Sequence, residues 1–154
     1  MVKKVLFSFA FSLIFLISFS QVGIGTTTPL STLDINGNFS VKVVNLTGDG
    51  NGGTGTYVDI DDGVYISVSP QATDDEFRLP DATMFPGRVY IIRNIQDTVT
   101  AKISTSGGLL FSSGSTTNGA TAVYLYEYAP GNDYKKSIIV LSDGANWTYF
   151  FGLF

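Results

Sequence analysis

Thr98-Val99-Thr100-Ala101-Lys102-Ile103-Ser104-Thr105 sets the fold class. Val99, Ala101 and Ile103 fall on one face of an extended chain, and Thr100, Lys102 and Ser104 on the other. That two-residue period is the mark of a half-buried strand. Just upstream, Arg88 to Asn94 encloses Val89-Tyr90-Ile91-Ile92, an apolar run of strand length. Further out, Tyr57 to Ile60 and Val64 to Val68 flank Asp61-Asp62-Gly63, which reads as a hairpin turn. Glu76 to Leu79 stops at Pro80, and Leu109 to Ser112 is short. Ala122 to Tyr128 places Tyr124, Tyr126 and Tyr128 on one face, with Val123 and Leu125 opposite. Ser137 to Leu141 and Trp147 to Phe154 complete the series.

No window sustains apolar spacing at i, i+3, i+4, i+7 for more than two turns. The 17 Gly and 5 Pro all follow residue 20 and punctuate strand-length segments. Residues 56–154 are therefore expected to form an all-β head, a compact β-sandwich or barrel-like sheet of about nine short strands.

The first 20 residues read differently. Lys3 and Lys4 precede an apolar run from Val5 to Phe19, and Ser18-Phe19-Ser20 offers small residues before Gln21. That order predicts a cleaved secretory signal peptide over 1–20, and hence a secreted or cell-surface protein. Residues 21–47 follow as a short stalk segment. Within it, Leu33-Asp34-Ile35-Asn36-Gly37-Asn38-Phe39 carries an Asn-Gly hairpin signal. Residues 48–55 are rich in Gly and read as a flexible linker.

The chain has 9 Lys and Arg against 13 Asp and Glu, for a net charge of −4. That balance argues against nucleic acid as a partner. With no His and no Cys, Ser-His and Cys-His nucleophiles, imidazole or thiolate zinc sites, haem ligation and disulfides are all excluded. The expectation is a protein that is not an enzyme and carries no cofactor, calcium being the one ion to consider.

Val22-Gly23-Ile24-Gly25-Thr26-Thr27-Thr28-Pro29, with Leu33-Asp34-Ile35-Asn36-Gly37 behind it, resembles a segment common in secreted surface proteins of Bacteroidota and in phage tail-fibre-like proteins. Leu79-Pro80-Asp81-Ala82, Pro86-Gly87-Arg88-Val89-Tyr90-Ile91-Ile92-Arg93-Asn94 and Ser142-Asp143-Gly144-Ala145-Asn146-Trp147 look like the pattern of small all-β head domains at fibre ends. The resemblance implies an extended collar of a trimeric fibre joined to a β head. With a single stalk element here, it implies a tip, a cap or a subunit of something larger.

Several residue clusters invite chemistry. Gly48-x-Gly50-x-x-Gly53 matches a dinucleotide fingerprint in letters, but a strand-like segment follows where a helix N-terminus is needed, so a linker is the better reading. Asp59, Asp61 and Asp62 are a calcium candidate, with Asp74-Asp75-Glu76 as a second carboxylate cluster; neither completes a twelve-residue loop. The bland reading is a turn and a solvated loop. Glu76 and Glu127 are the only glutamates, too few for a well-supported paired-carboxylate glycosidase. The row Tyr124, Tyr126, Tyr128 reads first as core packing, then as a subunit contact or a sugar-stacking surface. Trp147 is a core anchor or, if exposed, a ligand platform.

Three functions follow in order. The first is a secreted non-catalytic structural or adhesion module that assembles as a homotrimer and meets a surface glycan or a larger surface assembly. The second is a carbohydrate- or ligand-binding β-module. The third is an outer-membrane-associated β protein, suggested by Trp147, Tyr149, Phe151 and Leu153 on one face of the last strand.

Overall fold

The computed structural model describes residues 22–28, 31–131 and 133–152. Residues 1–20, where a signal peptide is expected, lie outside the described residues. The chain divides into two units, Met1–Ser40 and Val41–Phe154. It is all-β. Among the described residues the only helical elements are single 3-10 turns at Gly52–Thr54, Ala82–Met84 and Asp133–Lys136. No described helix is long and apolar enough to cross a membrane.

In the first unit, β1 (Val22–Ile24) pairs with β2 (Leu33–Ile35) in a parallel ladder. The expected antiparallel hairpin at Asn36-Gly37 is thus replaced by pairing with the upstream strand. The Val22 amide donates to the Thr32 carbonyl at 2.9 Å and the Asn36 amide to the Ile24 carbonyl at 2.9 Å.

The second unit is built on alternation between two sheets. β3 (Val43–Thr47), β5 (Tyr65–Ser69) and β7 (Val89–Asn94) run parallel in a seven-stranded sheet. β4 (Val58–Asp59), β6 (Asp75–Leu79) and β8 (Ala101–Thr105) run parallel in a four-stranded sheet. Parallel neighbours cannot be joined by a tight turn. Here each crossover carries a strand of the other sheet, so the chain winds between the two. β9 (Leu110–Ser112) and β10 (Gly119–Ala120) return to the large sheet, and β11 (Ala122–Leu125) adds antiparallel to β8. The hairpin β12 (Ser137–Ser142) and β13 (Trp147–Phe151) fills the space between β7 and β9.

This winding corrects three local expectations. Asp61-Asp62-Gly63 is not a hairpin turn, because β4 and β5 belong to different sheets. It is a corner between them. The corner needs glycine at 63, where φ is +77° and a Cβ would lie 2.6 Å from Val44 Cγ2. Val43–Thr47, placed by sequence in the stalk, is a strand of the large sheet. The Gly-rich stretch 48–55 is no free linker, since it wraps the carboxylate of Asp75. That side chain is fully buried. It accepts backbone N–H groups from Gly50 at 3.1 Å, Gly52 at 2.8 Å, Gln71 at 2.8 Å and Ala72 at 3.2 Å. Glycine at 48 makes room, since a Cβ there would stand 2.1 Å from Asp75 Oδ2. The donors that letter-matching offers to a phosphate serve the protein's own carboxylate.

One hydrophobic cluster draws on both sheets. Ile66, Val68, Tyr90, Ile92, Ile138, Val140 and Trp147 come from the large one, and Phe77, Leu79, Ile103, Val123 and Leu125 from the small one. Trp147 is completely buried, stacks at a tilt on Tyr90 with ring centroids 5.9 Å apart, and donates from Nε1 to the Pro80 carbonyl at 3.1 Å. Buried Asn94 donates to the carbonyls of Val99 at 2.8 Å and Leu125 at 3.0 Å, tying β7 to the end of β11. Among the described residues no buried side-chain polar atom lacks a partner.

Candidate functional site

On β7 the buried side chains are Tyr90, Ile92 and Asn94, so the strand's period turns Ile91 and Arg93 to the opposite face. The ladder sets Tyr65 of β5 beside Ile91, and Ser137 of β12 beside Arg93. The loop after β7 brings Asp97, whose carbonyl accepts the Tyr128 amide at 3.0 Å. Lys136 closes the group by pairing with the Asp97 carboxylate and donating to the Gln96 carbonyl at 2.9 Å. Together these residues line a cavity of about 460 Å³, within the range of about 300–1,000 Å³ usual for small-molecule sites.

Two features give the cavity chemical character. Tyr65 and Tyr128 line it together with the aliphatic Ile91. Arg93 is exposed, and its side chain makes no hydrogen bond or ion pair with another described residue. The other basic side chains of this unit are engaged. Lys42 pairs with Asp62, Arg78 with Asp59, Lys102 with Glu76 and Lys136 with Asp97. Arg88 lies 4.1 Å from the Phe85 ring centroid, and Lys135 lies 5.4 Å from that of Tyr126. Arg93 and Lys136 against Asp97 leave the cavity cationic in a chain whose net charge is −4.

The tyrosine row does not act as a unit. β11 ends at Leu125, and the amide of Tyr126 turns to the Lys135 carbonyl at 3.2 Å. The core takes the opposite side chains, Val123 and Leu125, while Tyr124, Tyr126 and Tyr128 are 37 %, 41 % and 58 % exposed. Core packing is therefore not their role. On β11 the core takes the face of Val123 and Leu125, which leaves Tyr124 on the opposite, exposed face. Tyr124 and Tyr126 line a smaller cavity of about 280 Å³ with Lys135, Tyr149 and Phe151, while Tyr128 belongs to the Arg93 cavity. Trp147, fully buried, is no ligand platform.

The calcium candidate separates into three side chains with different tasks. Asp59 accepts from Arg78 Nε at 3.0 Å, and that guanidinium lies 3.4 Å from the Tyr57 ring centroid. Asp62 pairs with Lys42, which holds its carboxyl below the usual aspartate range, and also accepts the Gly63 amide at 2.7 Å. Asp61 lines an open concavity with Lys42 and Arg88, whose charges oppose a bound cation. Among the described residues no three acidic side chains gather to hold a metal ion. Asp74 and Asp75 likewise part, Asp75 being occupied by the four amides above. Glu76 faces Lys102 at 2.7 Å and Ser104 Oγ at 2.5 Å. Burial pushes the Glu76 carboxyl up, but Lys102 and Ser104 outweigh it and hold it below its ordinary value.

Sequence reasoning named Tyr128 but not Arg93, Tyr65, Asp97 or Lys136. The available signal was the arginine ending an otherwise apolar run, Val89-Tyr90-Ile91-Ile92-Arg93. The chain matches no family model, no curated protein and no solved structure.

Proposed function

We propose that this protein is an exported, non-catalytic structural or adhesion module that assembles as a homotrimer through residues 22–40. The observation that carries the reading is the exposure of the first unit's apolar side chains. Val22, Ile24, Leu33 and Phe39 are 51 %, 54 %, 55 % and 66 % exposed. Val22, Ile24 and Leu33 sit on a parallel ladder of two three-residue strands, and Phe39 follows it in the chain. An isolated two-stranded sheet is marginal in water, and a contiguous apolar strip marks an interface. Copies related by rotational symmetry would bury the strip. The collar resemblance of Val22 to Gly37 points to three, and Lys3-Lys4 with the apolar run behind them to export. The Arg93 cavity supports a binding rather than a chemical role, since its one carboxylate, Asp97, is ion-paired with Lys136.

The test is a double variant, Ile24→Lys with Leu33→Lys, followed by sedimentation velocity. Both side chains are more than half exposed, so folding of residues 41–154 is expected to survive the change. Dissociation to single chains with an unchanged β-sheet spectrum supports the reading. An unchanged assembly refutes the role of residues 22–40.

A further inference from the structure

We infer that the cavity between Tyr65 and Tyr128 is a binding site for an acidic saccharide, a pyranose bearing an anionic substituent that Arg93 receives. Three independent properties converge on that class. The first is the guanidinium. Arg93 lacks a counter-ion among the described residues, although the chain is acidic and its other described cations are engaged. A guanidinium fork matches a carboxylate or sulfate through two parallel N–H bonds. The second is the pair of tyrosines that line the cavity with Ile91. An aromatic face covers the apolar C–H side of a sugar ring while its hydroxyl stays hydrogen-bonded. The third is the mixed rim. The Ser137 hydroxyl, the Asp97 carboxylate and the Lys136 ammonium supply acceptors and donors for ring hydroxyls. A neutral sugar would leave the guanidinium without a partner, and a bare inorganic anion would leave the tyrosine faces uncovered.

The cavity is also held in shape without a ligand. Tyr128 is fixed to the β7–β8 loop through the Asp97 carbonyl, and Lys136 is fixed to the same loop through Asp97 and the Gln96 carbonyl. Ile91 and Arg93 stand on a strand paired on both sides, to β5 and to β12. A site on such a scaffold needs little reordering to bind. This assignment names what the adhesion reading would recognise, and it stands apart from the claim that the protein is an oligomer.

The experiment is titration calorimetry on the exported full chain with three tetrasaccharides. One carries glucuronate carboxylates, one carries sulfate esters without carboxylates, and one is neutral cellotetraose. Arg93→Gln and Tyr128→Ala are measured beside the parent, and light scattering on each variant checks that the assembly is unchanged. The expected result is binding of at least one acidic probe, weakened by added salt. Arg93→Gln lowers that affinity about tenfold to a hundredfold, and Tyr128→Ala also weakens it. Which probe wins tells carboxylate from sulfate. No binding of either acidic probe at millimolar concentration overturns the assignment. So does equal binding of cellotetraose, or an Arg93→Gln variant that binds like the parent. A chain that binds yet runs as a monomer sinks the assembly reading and leaves this site standing.

Discussion

Replacing Asp75 by Asn changes one atom of the side chain and removes a charge on which two loops depend. In the native protein Oδ2 accepts the amides of Gly50, Gln71 and Ala72, and Oδ1 accepts that of Gly52. With the amide oxygen facing the three, the new NH₂ faces the Gly52 N–H, donor against donor. An unsatisfied buried donor costs about 1–3 kcal/mol, and bonds to a charged acceptor exceed neutral ones by about 0.5–1 kcal/mol each. The total is about 4 kcal/mol, a large share of the roughly 5–15 kcal/mol that holds a domain. Urea unfolding at pH 7 measures it, and thermal unfolding is expected to fall by more than about 10 °C. The acid limb gives a second readout. Burial pushes the Asp75 carboxyl up, but the amides of Gln71, Ala72, Gly52 and Gly50 outweigh it and hold it below its ordinary value. A depressed folded value means stability that is present above the unfolded value, about 3.9, and is lost as pH falls through the folded one. The gap between parent and Asp75→Asn should therefore be full at pH 7 and shrink below about pH 4. A variant within about 0.5 kcal/mol of the parent, the scatter of ordinary surface changes, would refute the role given to the four amides.

Three further outcomes are expected. Trp147→Ala should destabilise the protein by about 3–5 kcal/mol, and the fluorescence of this single tryptophan should be that of a water-shielded indole that shifts to the red on unfolding; red-shifted native emission would contradict its burial. Gly63→Ala forces a side chain into φ +77° against Val44, with an expected loss of about 1–3 kcal/mol in denaturant titration. The intact mass of the exported protein should begin at Gln21, and a species retaining Met1 to Ser20 would contradict export by a cleaved signal.

How much of this was legible in the sequence depended on the range of the interaction. Alternation over Val99 to Ser104 reports which side chains face a core, and the structure buries Ala101 and Ile103 as that pattern requires, although Val99 is only half-buried and Thr100 and Ser104 of the polar face are buried as well. Pairing partners are a longer-range property. Asp61-Asp62-Gly63 turns the chain in either a hairpin or a corner between sheets, because both need the same left-handed glycine. Only the parallel register of Tyr65 with Ile91 settles which one forms. Gly48 to Gly55 looked flexible because its anchor, the Asp75 carboxylate, comes many residues later. The tyrosine row failed as a core face for a similar reason. Nothing local shows which face of β11 meets the core, and it is that of Val123 and Leu125. The Arg93 cavity gathers residues from β5, β7, the loop after it, and the approach to β12. No spacing rule links them.

Light scattering on the chain from Gln21 onward at micromolar concentration tests the assembly claim most directly. The apolar side chains of Val22, Ile24, Leu33 and Phe39 are to be covered by their counterparts in two other copies. The expected mass is three times that of one chain, stable to dilution across the micromolar range. A single-chain mass at those concentrations would contradict it.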